Sequence, residues 1–181
     1  MEEYFDVLDI DGNPTGEKKL RNLVHRDGDW HRSVHVWILN GDKLLFQKRA
    51  PQKDSHPNEW DISCAGHVSA GETSLEAAKK ELEEELGFVA REEDLIKIFS
   101  MHDSDVQYDG KFISNEIADI YLVQSKQKIE SFSLQVEEVT ELKWMPLEEV
   151  ERLVSEQPLG YVPNWEEMAK LLDYLKTSDL V

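Results

Sequence analysis

One cysteine, Cys64, stands in a chain of 181 residues, so no disulfide can form within it and stability must come from a packed core. Positive charge is scarce too. Against 38 Asp and Glu there are 20 Lys and Arg, a formal net charge of −18, which argues against broad binding to nucleic acid or anionic membrane surfaces. Any phosphate group must then be met by local positive side chains or by a metal ion. No apolar run approaches the roughly 20 residues that span a bilayer. The start Met1-Glu-Glu-Tyr-Phe-Asp6 has neither the basic nor the apolar segment of a secretion signal, and a soluble, cytoplasmic protein is expected. No Pro-, Gly- or Ser-rich linker and no internal repeat divides the chain, so residues 1–181 read as one domain. A homodimer is neither required nor excluded.

What the chain does have is an acidic stretch from Gly66 to Phe88 whose middle reads as a helix. Thr73 or Ser74 can cap its start, and Gly87 can take the left-handed conformation that ends it. At about 100° per residue, Leu75, Ala78, Leu82 and Leu86 form one apolar stripe, and Glu81, Glu84 and Glu85 share a strip beside it. Like charges three and four residues apart repel, and the negative end of the helix dipole adds to their cost. A cation should compensate. Carboxylate oxygens at this spacing suit a hard divalent ion such as Mg²⁺, with Mn²⁺ as a substitute, and Mg²⁺ is commonly completed by substrate phosphates. Glu76 and Glu83, near Lys79 and Lys80, read as a solvated face.

Elsewhere, Tyr4 to Ile10 alternates as a strand and Asp11-Gly-Asn-Pro14 reads as a turn. Leu20 to Asp29 carries His25. His31 to Leu39 and Lys43 to Arg49 flank Asn40-Gly41, a strong hairpin signal. Ala50 to Glu59 reads as a loop, and Trp60 to Ala65 as a short strand leading to Gly66. Asp94 to Met101 and Glu116 to Val123 read as strands around a polar loop, Asp103 to Lys111. Leu142 to Met145 is a further strand, Pro146 begins a helix through Leu153, and Asn164 would cap a helix over Trp165 to Lys176. These elements support α/β or α+β with strands in hairpins around a mixed sheet.

The acidic stretch has the pattern G-x5-E-x7-K-E-L-x-E-E-x-G-F, built from Gly66, Glu72, Lys80, Glu81, Leu82, Glu84, Glu85, Gly87 and Phe88. It resembles the Nudix box, the signature of hydrolases that split a nucleoside or other organic diphosphate. The resemblance implies an α/β/α sandwich with a central mixed sheet. It also implies Mg²⁺ on Glu81, Glu84 and Glu85, with the Gly66 carbonyl, and a small-molecule diphosphate as substrate. Lys80 departs from the family's usual Arg and offers a point charge in place of a bidentate fork for orienting the glutamates. Glu72 is expected to brace the loop and helix start.

His25, His31-Arg32, Gln47-Lys48-Arg49, Trp60, Gly66-His67 and Asn115-Glu116 resemble parts of type I isopentenyl-diphosphate isomerase, a metal-dependent branch of the same fold. That resemblance implies a second metal site on His25, His31, His67 and Glu116, with Ser114 where the branch has another glutamate. It also makes Arg49 and Lys53 candidates for gripping the diphosphate. His35 has no counterpart and reads as a hydrogen-bonded strand residue. The isomerase's proton-transferring cysteine falls at Ala65, and Cys64, one residue earlier, would point to the opposite face as a buried hydrophobe. Hydrolysis is therefore favoured over isomerisation or a non-catalytic sensor. Glu84 or Glu85 is the first choice of general base and Glu116 the second. Glu137, Glu138 and Glu148 read as surface or capping acids.

Overall fold

The segment richest in Val, Ile and Trp forms the spine of the molecule, as its β propensity and two-residue alternation require. The computed structural model describes residues 2–178 and 180. The spine is β3 (Trp30–Asn40). In chain order the others are β1 (Tyr4–Leu8), β2 (Pro14–Leu20), α1 (Arg21–Asp27), β4 (Lys43–Arg49), β5 (Trp60–Asp61), β6 (Cys64–His67) and α2 (Ser74–Leu86). They continue with β7 (Ile96–Gln107), β8 (Phe112–Gln124), β9 (Val139–Pro146), α3 (Leu147–Glu156) and α4 (Trp165–Thr177).

Along one side β3 pairs in parallel with β8, from Trp30↔Asn115 to Leu39↔Gln124. Along the other it pairs antiparallel with β6 through Ser33 to Val36, and with β4 only at Leu39 and Asn40. The strand pairs thus include both directions, giving a mixed sheet. Beyond that short hairpin β4 pairs with β5 and β9 instead.

Alternation on β3 assigns the two cores. Val34, Val36 and Ile38 join Ala77, Ala78, Leu82 and Leu86 of α2. Trp37 and Leu39 join Val150 and Leu153 of α3 and Met168, Leu171 and Leu172 of α4. Each fully buried Leu contributes about 1.5–3 kcal/mol of transfer free energy. Helices cover both faces of the sheet, the α/β/α sandwich that the resemblance implied.

Several local expectations are corrected. The predicted strand over Trp60 to Ala65 is two, because Ser63 turns inward, donating from Oγ to the Leu45 carbonyl at 2.6 Å and accepting from the Ile38 N–H at 2.9 Å. The polar stretch Asp103 to Lys111 is mostly strand: β7 stays in register with β8 from Asp103↔Glu116 to Gln107↔Phe112, and only the tip turns. Strand β2 is polar and largely exposed, so it carries no apolar alternation to read. Asn164 begins α4 without capping it; its amide instead donates to Asp61 Oδ1 at 2.9 Å.

Candidate active site

Helix α2 is fixed at both ends. Thr73 and Glu76 form a reciprocal capping box, so Glu76 does structural work and is not part of a merely solvated face. Gly87 closes the helix in the left-handed conformation at φ 62°. Between these ends the glutamate strip is turned toward Gly66. The Glu81 carboxylate packs against Gly66, where a Cβ would come within 2.3 Å of Glu81 Cδ. Lys80 Nζ lies 3.4 Å from Glu81 Oε1 and 3.6 Å from Glu72 Oε2, and Glu72 accepts from the Ser69 N–H at 3.1 Å. Lys80 thus lies between the carboxylates of Glu81 and Glu72, and Glu72 is tied to the loop before the helix.

Glu85 is only 4% exposed, and among the described residues its buried Oε2 has no hydrogen-bond partner. Burial pushes its carboxyl up to about 8. Burial raises Glu81 as well, with Glu84 adding to the shift and Lys80 opposing it. Glu84 is exposed. These are hard oxygen donors, two of them disfavoured as bare anions, and a divalent cation fits them.

A second cluster lies where β1, α1, β3 and β6 meet. His25, His31 and His67 each offer a ring nitrogen within 4.8 Å of the others. Among the described residues their Nε2 atoms are all buried without a hydrogen-bond partner. Glu116 Oε1 is 3.4 Å from His67 Nε2 and 3.8 Å from His31 Nε2. Ser114 donates to the same oxygen at 2.5 Å, so it supports Glu116 where the isomerase branch has a ligand. Burial lowers His25 to about 4, with the neighbouring imidazoles adding to the shift. Burial also lowers His31. Against its own burial, Glu116 is held well below the usual carboxylate range by His67 and His31. Three imidazoles, two of them held toward the neutral form by burial, gathered beside one carboxylate make a donor set that a borderline divalent ion fits. Phe5 stacks on His31 and His67, at 5.1 and 4.8 Å between centroids, and Phe112 stacks on His25 at 4.4 Å. Neither phenylalanine carried a functional signal in the sequence.

Both clusters border one cavity of about 610 Å³, lined among others by Gly66, His67, Glu81, Glu84, Glu85 and Glu116. Arg49 and Lys53 stand on its wall, each already paired. Arg49 donates from Nη1 to Asp61 Oδ2 at 2.9 Å and from Nε to the Ser55 carbonyl at 3.1 Å, and Lys53 pairs with Glu138. Glu137, exposed, and Glu138, half-buried, also line this cavity. Glu148, in contrast, is an exposed first-turn residue of α3. His56 bridges the loop before β5 to β7, 3.0 Å from Glu59 Oε2 and 3.2 Å from Asp105 Oδ2. Cys64 is fully buried in the α2-side core, and burial, with Glu85 nearby, pushes its thiol well up.

The NUDIX domain model matches residues 29–165. Nudix hydrolase 3 of Arabidopsis thaliana is 51% identical over 166 residues; the match covers 90% of this chain but only 22% of that protein. An isopentenyl-diphosphate Delta-isomerase of Cereibacter sphaeroides is 29% identical over 158 residues, covering 85% of this chain and 84% of the isomerase. The crystal structure of DR0079 from Deinococcus radiodurans superposes with a TM-score of 0.72 at 18% identity, over 93% of this chain and 98% of that one.

Proposed function

The chain belongs to the Nudix hydrolase family, and on that premise we propose that it is a Mg²⁺-dependent enzyme that cleaves an organic diphosphate, nucleoside or isoprenoid, by attack of water on phosphorus. The observation that carries this reading is Glu85: a buried carboxylate with one oxygen lacking a hydrogen-bond partner among the described residues, next to a half-buried carboxylate at Glu81. Such a pair is costly unless a cation joins it.

In this reading Glu81, Glu84, Glu85 and the Gly66 carbonyl hold Mg²⁺. The ion supplies charge neutralisation at the diphosphate and a lowered pKa for the attacking water. Lys80 keeps Glu81 turned toward Gly66. Arg49 and Lys53 bind the outer phosphate oxygens, Lys53 by exchanging its partner Glu138. Glu84 is the general base, because it is the exposed member of the strip, whereas Glu116 is turned to the histidine cluster. The histidine set with Glu116 holds a second divalent ion.

That second cluster also favours an isomerase-like reading, since its three partnerless nitrogens match the metal set of that branch. Against it stands Ala65, which cannot transfer a proton. Assaying a panel of nucleoside and isoprenoid diphosphates for released orthophosphate or organic monophosphate, with Mg²⁺ or with chelator, tests the proposal. Mg²⁺-dependent release that Glu84→Gln nearly abolishes is expected. Turnover that survives either chelator or Glu84→Gln sinks it.

A further inference from the structure

His35 is a histidine that neither metal cluster uses. It lies on the face of β3 turned toward α4, four residues beyond His31, and its direct cross-strand neighbour on β6 is Ala65. Directly opposed residues of an antiparallel pair project to the same face, so the imidazole and the Ala65 methyl stand side by side on the cavity wall. The ring is locked from behind. Its Nδ1 donates to Glu167 Oε2 at 2.6 Å, and the other oxygen of Glu167 accepts from Trp37 Nε1 at 2.7 Å. Glu167 is 2% exposed, brought into the sheet by the first turn of α4. A carboxylate on Nδ1 fixes the ring plane and leaves Nε2 directed away, toward the open side. Among the described residues His35 Nε2 has no hydrogen-bond partner, nor is it sealed from solvent like the partnerless nitrogens of the histidine cluster.

This arrangement sets a buried, directed donor where a small side chain leaves room in front of it. We propose that His35 is a substrate-binding residue, its imidazolium Nε2–H donating to an oxygen of the substrate diphosphate beside Ala65, with Glu167 as the residue that positions it.

The charge around His35 suits that role. Glu167 faces it from α4, Asp103 from β7, Glu116 from β8 and Asp61 from β5. Burial alone would lower His35, but the Glu167 carboxylate overrides it and lifts the ring to about 9. Asp103 is raised, by burial first and Glu116 second, with His35 opposing. The other Lys and Arg side chains on this wall are already engaged: Arg21 with Glu3 and Asp54, Arg49 with Asp61 and Ser55, Lys53 with Glu138, Lys80 with Glu72 and Glu81. In a cavity so acidic, a rigid N–H donor on a cation gives a diphosphate a fixed point of attachment without rearrangement.

The proposal rests on the diphosphate hydrolase reading, and the experiment separates the two. Phosphate release by the parent protein with Mg²⁺ tests the reading; none across the panel overturns the reading and leaves the binding measurement to judge His35. Calorimetric titration with methylenediphosphonate, a non-hydrolysable diphosphate, in Mg²⁺ at pH 7.5 tests His35. His35→Gln and Glu167→Gln should each weaken binding about tenfold or more. Nitrogen-15 spectra of the parent should show both His35 ring nitrogens protonated, the Nε2 resonance moving on addition of the diphosphonate. Glu167→Gln should remove one of those protons, which loss of packing alone would not do. Unchanged affinity in folded His35→Gln, or an Nε2 signal indifferent to the diphosphonate in the parent, overturns the proposal.

Discussion

The Glu81 carboxylate occupies the space that a side chain at Gly66 would need: a Cβ there would lie 2.3 Å from Glu81 Cδ and 2.4 Å from its Cγ. Gly66 is not in the left-handed region, so its lack of a side chain serves this approach and not a backbone strain. The atoms in the way are the mobile end of a glutamate, which can swing aside.

Gly66→Ala should therefore fold with little loss of stability yet displace Glu81. Mg²⁺ affinity or turnover should fall by about 10–100-fold, the scale of losing an orienting contact at a metal site. Thermal midpoints with and without Mg²⁺ check this. A variant that gains as much stability from Mg²⁺ as the parent would remove Glu81 from the ion.

Lys80 can be tested independently. It touches Glu81 and Glu72 as a point charge, so Lys80→Arg should retain or raise turnover. Lys80→Ala should lower kcat by about 10–100-fold with a smaller effect on KM. An alanine variant with parental steady-state kinetics would leave Lys80 as a surface residue.

Stability in chelator should fall as pH rises from about 6.5 to 8. Glu85, lifted to about 8, and His35, lifted to about 9, both keep a proton in the folded state that the unfolded chain has released. The folded state then binds more protons, and stability declines with pH through the folded values. His25, lowered to about 4, acts with the opposite sign and only between about 4 and 6.5, where it offsets the decline that Glu85 causes. Mg²⁺ should restore more stability at pH 8 than at pH 6.5, since its ligands bind it deprotonated. Denaturant melts at the two values check the slope, and a flat profile in chelator would contradict the burial of Glu85.

The parts of this site that could be read beforehand are those whose spacing is local. Glu81, Glu84 and Glu85 on one helix strip, Thr73 and Gly87 at its ends, and the opposed faces of Cys64 and Ala65 all follow from helix and strand periods. What joins distant segments was not legible. Glu167 reads as an ordinary acid in a helix first turn until α4 packs it beside His35, 132 positions earlier. Glu138 reads as a surface acid until the chain before β9 returns to Lys53. The long strands β7 and β8 read as shorter in the sequence because Asp103, Ser104 and Asp105, which line the cavity, are polar and break the apolar alternation.

The final prediction concerns the chemistry at β6. Cys64 is fully buried among the residues that pack on α2, its thiol pushed well up by burial, whereas Ala65 packs toward the α3 and α4 side. A proton carrier must reach the substrate and exchange its proton near neutral pH, and Cys64 can do neither. Incubation with isopentenyl diphosphate and Mg²⁺ should give no dimethylallyl diphosphate, with any turnover appearing as phosphate release. Cys64→Ala should hydrolyse its substrate within about twofold of the parent and cost about 1 kcal/mol of stability from lost packing. Placing a thiol at the correct face, Ala65→Cys, sets it beside His35 and within the cavity wall, where isomer formation would first be expected. Isomer made by the parent and lost in Cys64→Ala would reverse the assignment, because it would require the buried thiol to reach the substrate.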